Sequence, residues 1–79
     1  MTSTTTYTDT ELLRRVYSGT APKDGERVYS VGIVADGMYA DRLDVIAQSA
    51  QDARIIAREH AIRIGGATRV RITGCHREA

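Results

Sequence analysis

The stretch SAQDARIIAREHAIRIGG, residues 49–66, constrains the fold more than any other part of this chain. Ser49 followed by Asp52 reads as an N-cap with an acid at the box position, and Gly65-Gly66 reads as a stop. Between them, at about 100° per residue, Ala50, Ala53, Ala57, Ala61 and Ile64 form one stripe flanked by Ile56. A helix faced with alanine can lie close on a sheet whose inward side chains are large. Ile55 and Ile62 fall roughly 140–160° from Ala57 by the same rotation, so they cannot meet that sheet.

Upstream, YTDTELLRRVYSG carries a second helix signature. Thr8 and Glu11 are spaced as a capping box, and Tyr7 and Leu12 as a hydrophobic staple. Leu12, Leu13, Val16 and Tyr17 make an apolar stripe, and Gly19 is a C′ stop, which predicts a helix over residues 9–18. Pro22 and Gly25 punctuate the loop that follows. RVYSVGIVA then alternates, with Tyr29, Val31, Ile33 and Ala35 on one face and Val28, Ser30, Gly32 and Val34 on the other. Asp36-Gly37 turns the chain. RLDVIAQ alternates again, Leu43, Val45 and Ala47 inward against Arg42, Asp44, Ile46 and Gln48.

Leu43, Ile46, Ala50, Ala53 and Ala57 also fit one long helix over 41–64. Strand then helix is the preferred reading, because Ser49 and Asp52 restart the pattern and the first strand otherwise lacks a hairpin partner. TRVRITG supplies a third strand, with Val70 and Ile72 inward and Arg69, Arg71 and Thr73 outward, and CHREA is a polar tail. The expectation is an α+β fold: a short N-terminal helix, then β-β-α-β. Its three-stranded antiparallel sheet has order 2-1-3 and packs on one long helix. Residues 1–7 form an unstructured tail and 8–79 a single small domain.

A domain of 79 residues has a thin core, so self-association or a partner is a natural support. Cys75 is the sole cysteine, which excludes an intrachain disulfide. No apolar run approaches membrane-spanning length, and MTSTTTYTDT lacks the basic and apolar regions of a secretory signal. A cytoplasmic setting is therefore expected. The net charge of +1 argues against a bulk polybasic nucleic-acid binder.

Two surfaces emerge as candidates. Beside Ile55 and Ile62 run Arg54 and Arg58, four apart and with no acid one turn away. Single exposed aliphatics are ordinary. Two isoleucines and two arginines on one strip also suit an interface with a partner or a second copy. Glu59 and Arg63 form an ordinary solvated pair on another side. The second surface is the outer sheet face, where Arg42, Arg69 and Arg71 lie among Val28, Val34 and Ile46. The simpler reading is a solvated face with Asp44 pairing across the strand. The functional one is contact with phosphates or with an acidic protein surface.

Chemistry is thin. His60, Cys75 and His76 are too few and too poorly spaced for a metal, and a Cys–His pair adjacent in sequence has no oriented base. Asp36, Asp41 and Asp44 cluster at the hairpin for turn and alternation reasons. Gly65-Gly66 follows a helix, the reverse of a phosphate cradle. No cofactor, metal or catalytic residue is expected.

The run VIAQSAQDARIIAREHA, through Ala47, Ser49, Asp52 and Ala53, resembles small β-β-α-β accessory proteins of bacteriophages and mobile elements, among them anti-CRISPR-like inhibitors. The resemblance implies a phage-encoded viral protein. It implies stoichiometric binding to a host protein or protein–nucleic-acid complex in the host cytoplasm, without catalysis. Its contacts would come from Arg54, Ile55, Arg58 and Ile62 on one face and Arg42, Arg69 and Arg71 on the other, with a homodimer through the helices as one arrangement. The alternative is a small DNA- or RNA-binding regulator using the basic outer sheet face.

Overall fold

A computed structural model describes residues 7–16 and 19–78. Helix α1 (Asp9–Arg15) leads into strands β1 (Arg27–Ala35) and β2 (Tyr39–Ala47), helix α2 (Ala50–Arg63) and strand β3 (Val70–Arg77). The sheet has order β2-β1-β3 and both pairings are antiparallel. This is the α+β architecture read from the sequence, with residues 39–47 a strand rather than the start of a long helix.

The core lies between one sheet face and both helices. Leu12 and Val16 from the N-terminal segment meet Tyr29, Val31 and Ile33 of β1, Leu43, Val45 and Ala47 of β2, and Val70 of β3. From α2 come Ala53, Ile56, Ala57 and Ala61. The alanine stripe behaves as its spacing requires, with two amendments. Ile56 is fully buried and supplies the helix's largest core side chain. Ile64 is exposed, because the helix ends at Arg63 and the chain leaves through Gly65 and Gly66, the latter at φ 77°.

The Ser49 hydroxyl accepts from the Asp52 amide at 3.1 Å, and the Asp52 carboxylate accepts from the Gln48 amide at 3.4 Å. The first bond satisfies a backbone donor that the first helical turn leaves over, and the second ties the residue before the cap to the helix. Thr8 caps α1 in the same way, its hydroxyl accepting from the Glu11 amide at 3.2 Å.

Helix α1 is shorter than the 9–18 expected. Val16 adopts extended geometry and bridges Val45 antiparallel, so the pull of the sheet edge ends the helix after two turns. Leu13 is 54% exposed and stands off the stripe. Tyr17 lies outside the described residues. So do residues 1–6 of the expected tail, whereas Tyr7 is anchored. Its hydroxyl donates to the Asp52 carboxylate at 2.5 Å. Burial, then the hydrogen bond to Asp52, pushes the Tyr7 phenol up to about 12, so it remains a donor across the neutral range. Arg63 does more than pair with Glu59 at 3.5 Å: it also binds Asp9 at 2.6 Å and the Tyr7 carbonyl, tying the start of α1 to α2.

At the opposite end of α1 sits a buried ionic knot. The Glu26 carboxylate, 6% exposed, accepts from Arg14 at 3.2 Å, Arg15 at 3.1 Å and the Lys23 amide at 2.9 Å. Glu11 braces both arginines from the solvent side, at 3.4 Å and 3.2 Å. The Lys23 amide and the two guanidiniums hold the Glu26 carboxyl below the ordinary glutamate range, against the opposing effect of burial.

The third strand runs further than TRVRITG suggests. It begins at Val70, so Arg69 lies just before it, and it continues to Arg77. Gly32 pairs with Gly74 but Ile33 pairs with Ile72, which makes Thr73 the extra residue of a bulge. The bulge resets the alternation and brings Cys75, nominally in the polar tail, onto the inner face. There it packs against the core with its thiol 3.7 Å from the Ala50 carbonyl oxygen.

Candidate functional site

The geometry of the two proposed surfaces depends on β3, which pairs only with β1 and leaves its other side as a sheet edge. Helix α2 crosses the inner face at a phase that turns Arg54, Ile55, Arg58 and Ile62 toward that edge. A groove lined by Gln51, Arg54, Ile55, Arg58, Glu59 and Ile72 runs between helix and strand. A second groove takes in Val34, Arg58, Ile62, Arg69, Val70 and Arg71. Arg58 and the edge of β3 belong to both surroundings. The helical strip and the β3 part of the sheet face are thus one continuous band wrapped around the edge strand.

Ile55 and Ile62 are 38% and 36% exposed, a partial burial in which each side chain has one flank on the protein and one toward solvent. The Arg58 guanidinium donates to the Val70 carbonyl at 2.9 Å and meets no carboxylate among the described residues. Among the described residues, the side chains of Arg54, Arg69 and Arg71 make no ion pair either. Glu59, which lines the first groove, pairs with Arg63 at 3.5 Å. The result is a cationic, partly apolar strip whose arginines have no carboxylate partner among the described residues.

Arg42 does not join this band. It stands on β2 opposite Gly32, beyond β1, and donates to the Ser30 hydroxyl at 2.8 Å. A Cβ at Gly32 would sit 2.6 Å from the Thr73 hydroxyl oxygen and 3.8 Å from Arg42. Glycine there leaves room for Thr73 and Arg42 to approach over the outer face. Ser30, the cross-strand neighbour of Asp44, thus receives the arginine on this face. Ile46, expected among the outer-face residues, is 5% exposed and stands opposite Val28.

Arg69 has a role that alternation alone did not reveal. The Asp36 carboxylate accepts from the amides of Thr68 and Arg69 at 2.9 Å and 2.8 Å, and the Asp36 amide donates to the Arg69 carbonyl at 2.8 Å. Asp36 itself sits at φ 53° in the hairpin turn, a conformation that aspartate tolerates better than most residues. One turn residue therefore fixes both the hairpin and the start of β3, and with it the side-chain positions of the cationic band. A chain separation of more than thirty residues hid this from local pattern reading.

A cleft of about 460 Å³ lies at the other side of α2, lined by Ile33, Ala35, Leu43 and Ala61 with Asp36, Tyr39, Asp41 and His60 at its rim. Its size suits a small ligand, but its polar groups are committed. Asp36 holds β3, and Asp41 accepts from the Arg42 amide at 2.8 Å. Burial lowers the His60 pKa, which leaves the imidazole neutral at pH 7. No described serine, cysteine or threonine is set against a base there, and the described residues contain no group of three or more His, Cys, Asp or Glu able to hold a metal ion. His60, Cys75 and His76 are not brought together: His76 points with the outer face opposite Ser30, and Cys75 with the inner.

Among the described residues no helix is long and apolar enough to cross a membrane. Comparison with known proteins found no matching family model, no matching characterised protein and no matching solved structure.

Proposed function

We propose that this chain is a non-enzymatic binding module whose working surface is the band around β3, formed by Arg54, Ile55, Arg58 and Ile62 with Arg69 and Arg71. The observation that carries the reading is the convergence, on one continuous edge, of partly exposed isoleucines with arginines that have no carboxylate partner among the described residues. Arginine with aliphatic side chains is the composition of a desolvating contact, and the arginines call for an acidic counterpart. The partner is then an acidic surface on a host protein or protein–nucleic-acid complex, met in the cytoplasm. The resemblance to phage accessory proteins gives that binding an inhibitory, one-to-one sense.

Two other occupants fit less well. A two-fold contact between α2 helices would set Arg54 and Arg58 against their own copies, a like-charge arrangement that weakens closure. Among the described residues a nucleic-acid regulator lacks stacking aromatics here, since Tyr29 is buried inward and Tyr39 stands on β2 beside the cleft on the other side of α2. Such a regulator would bind through phosphates alone, with an affinity that falls steeply with salt.

The test is capture from a host lysate with the intact chain and with Ile55→Asp, Ile62→Asp and Arg71→Glu variants. Each substitution is expected to weaken capture of the same species by about thirtyfold, the effect of losing a hot-spot contact of about 2 kcal/mol. Thermal melts should stay within a few degrees of the parent. Undiminished capture by all three variants would remove the band from the account. Loss of the folded state in the isoleucine variants would show that the strip is core.

A further inference from the structure

Resting on the reading above, we propose that the band takes its partner as a strand: an extended, acidic segment that adds to the free side of β3 and makes the sheet β2-β1-β3-partner. The backbone supplies the first argument. The Asp36 amide donates to the Arg69 carbonyl, and the Glu78 amide donates to the Val28 carbonyl, which fixes which residues of β3 turn toward β1. Antiparallel alternation across the Thr73 bulge then turns the backbone groups of Val70, Ile72, Cys75 and Arg77 outward, away from β1. The Arg58 guanidinium already occupies the Val70 carbonyl from that side at 2.9 Å, which shows that a donor can approach the edge there.

The side chains supply the second argument. A strand laid along β3 alternates its side chains between the two sheet faces. On the inner side they would meet Ile55, Ile62 and Ile72, rimmed by Arg54 and Arg58; on the outer side, Arg69, Arg71 and Val34. Apolar residues alternating with acids match both rows. The same features discriminate against the obvious competitor. Arginines and a bulge on an edge strand keep two copies of one chain from pairing. They do not repel an acidic strand, so protection against self-pairing and selection of the partner come from one set of residues.

The probe is an alternating valine–glutamate peptide of about eight residues, the length of a typical strand, titrated into the full chain labelled with nitrogen-15. The expected result is that the Ile72 and Cys75 amides shift and exchange about tenfold more slowly with solvent. Methylating one alternate set of peptide amides abolishes the effect, and methylating the other set leaves it. Arg54→Glu with Arg71→Glu, neither of which has an ionic partner among the described residues, weakens binding about tenfold or more. If the arginine side-chain signals move while the Ile72 and Cys75 amides do not, strand addition is wrong and the acidic-surface reading stands. Silence of both sets of signals overturns both. Equal protection by a single-stranded oligonucleotide of the same charge, or protection in the chain alone through self-pairing, overturns the acidic strand as the occupant.

Discussion

Glu26→Ala is expected to destabilise the domain by about 3 kcal/mol, the loss typical of breaking a buried ionic cluster from one side. For a chain of this size that lowers Tm by about 15 °C. The reason is what remains behind. Arg14 and Arg15, both largely buried, keep their charges but lose their buried carboxylate and retain only the more exposed Glu11, and the Lys23 amide loses its acceptor. The pH dependence follows with a definite sign. The folded state holds the Glu26 carboxyl below its unfolded value, so its contribution is complete above about pH 4.5. That contribution disappears as pH falls through the folded-state value. Denaturation midpoints measured from pH 7 down to pH 3 should fall steeply in the parent and more gently in Glu26→Ala. Parallel curves would mean that the cluster makes no net contribution.

Ile56→Ala is expected to destabilise by about 3 kcal/mol, whereas Ile55→Ala should change stability by less than about 1 kcal/mol. The two residues are identical and adjacent, so helix propensity cancels between them. Ile56 is fully enclosed between α1 and the sheet, and its truncation leaves a cavity among Leu12, Val31 and Val45. Ile55 retains solvent on one flank, and most of its truncated surface simply becomes water-exposed. Urea titration of both variants separates the outcomes: equal midpoints would mean that α2 is rotated from the phase described here and that the proposed interface residues are core.

That phase was legible in the sequence because alanine spacing and the Ser49–Asp52 cap encode it locally. Sheet order followed from strand direction, since a crossover helix makes β2 and β3 parallel and only β1 between them gives antiparallel neighbours throughout. Three features were not legible, each for a physical reason. The Thr73 bulge adds one residue without a distinctive side chain, so Cys75 looked like tail rather than inner face. Val16 left its helix because a sheet partner at Val45 outweighed a weak terminal turn. The Glu26 cluster joins residues up to fifteen apart, on a helix and in a loop, with no periodicity to mark it.

The candidate surface shows the same division. Sequence phase alone separated Arg54, Ile55, Arg58 and Ile62 from the packing face, and alternation placed Arg71 outside. What it missed is that these rows meet, because that depends on β3 being an edge and on Asp36 fixing its start. Arg42 fell out of the group for the complementary reason: it stands on the far side of β1, where Ser30 and Gly32 accommodate it.

The central claim is that the band around β3 is where the partner sits, and hydrogen exchange of the chain with and without its captured partner measures this directly. The account predicts slowed exchange over residues 70–77, with protection extending to α2 residues 54–62, and little change in β2. Protection centred instead on the β1–β2 hairpin and the Tyr39–His60 cleft, with β3 exchanging as it does alone, would contradict it.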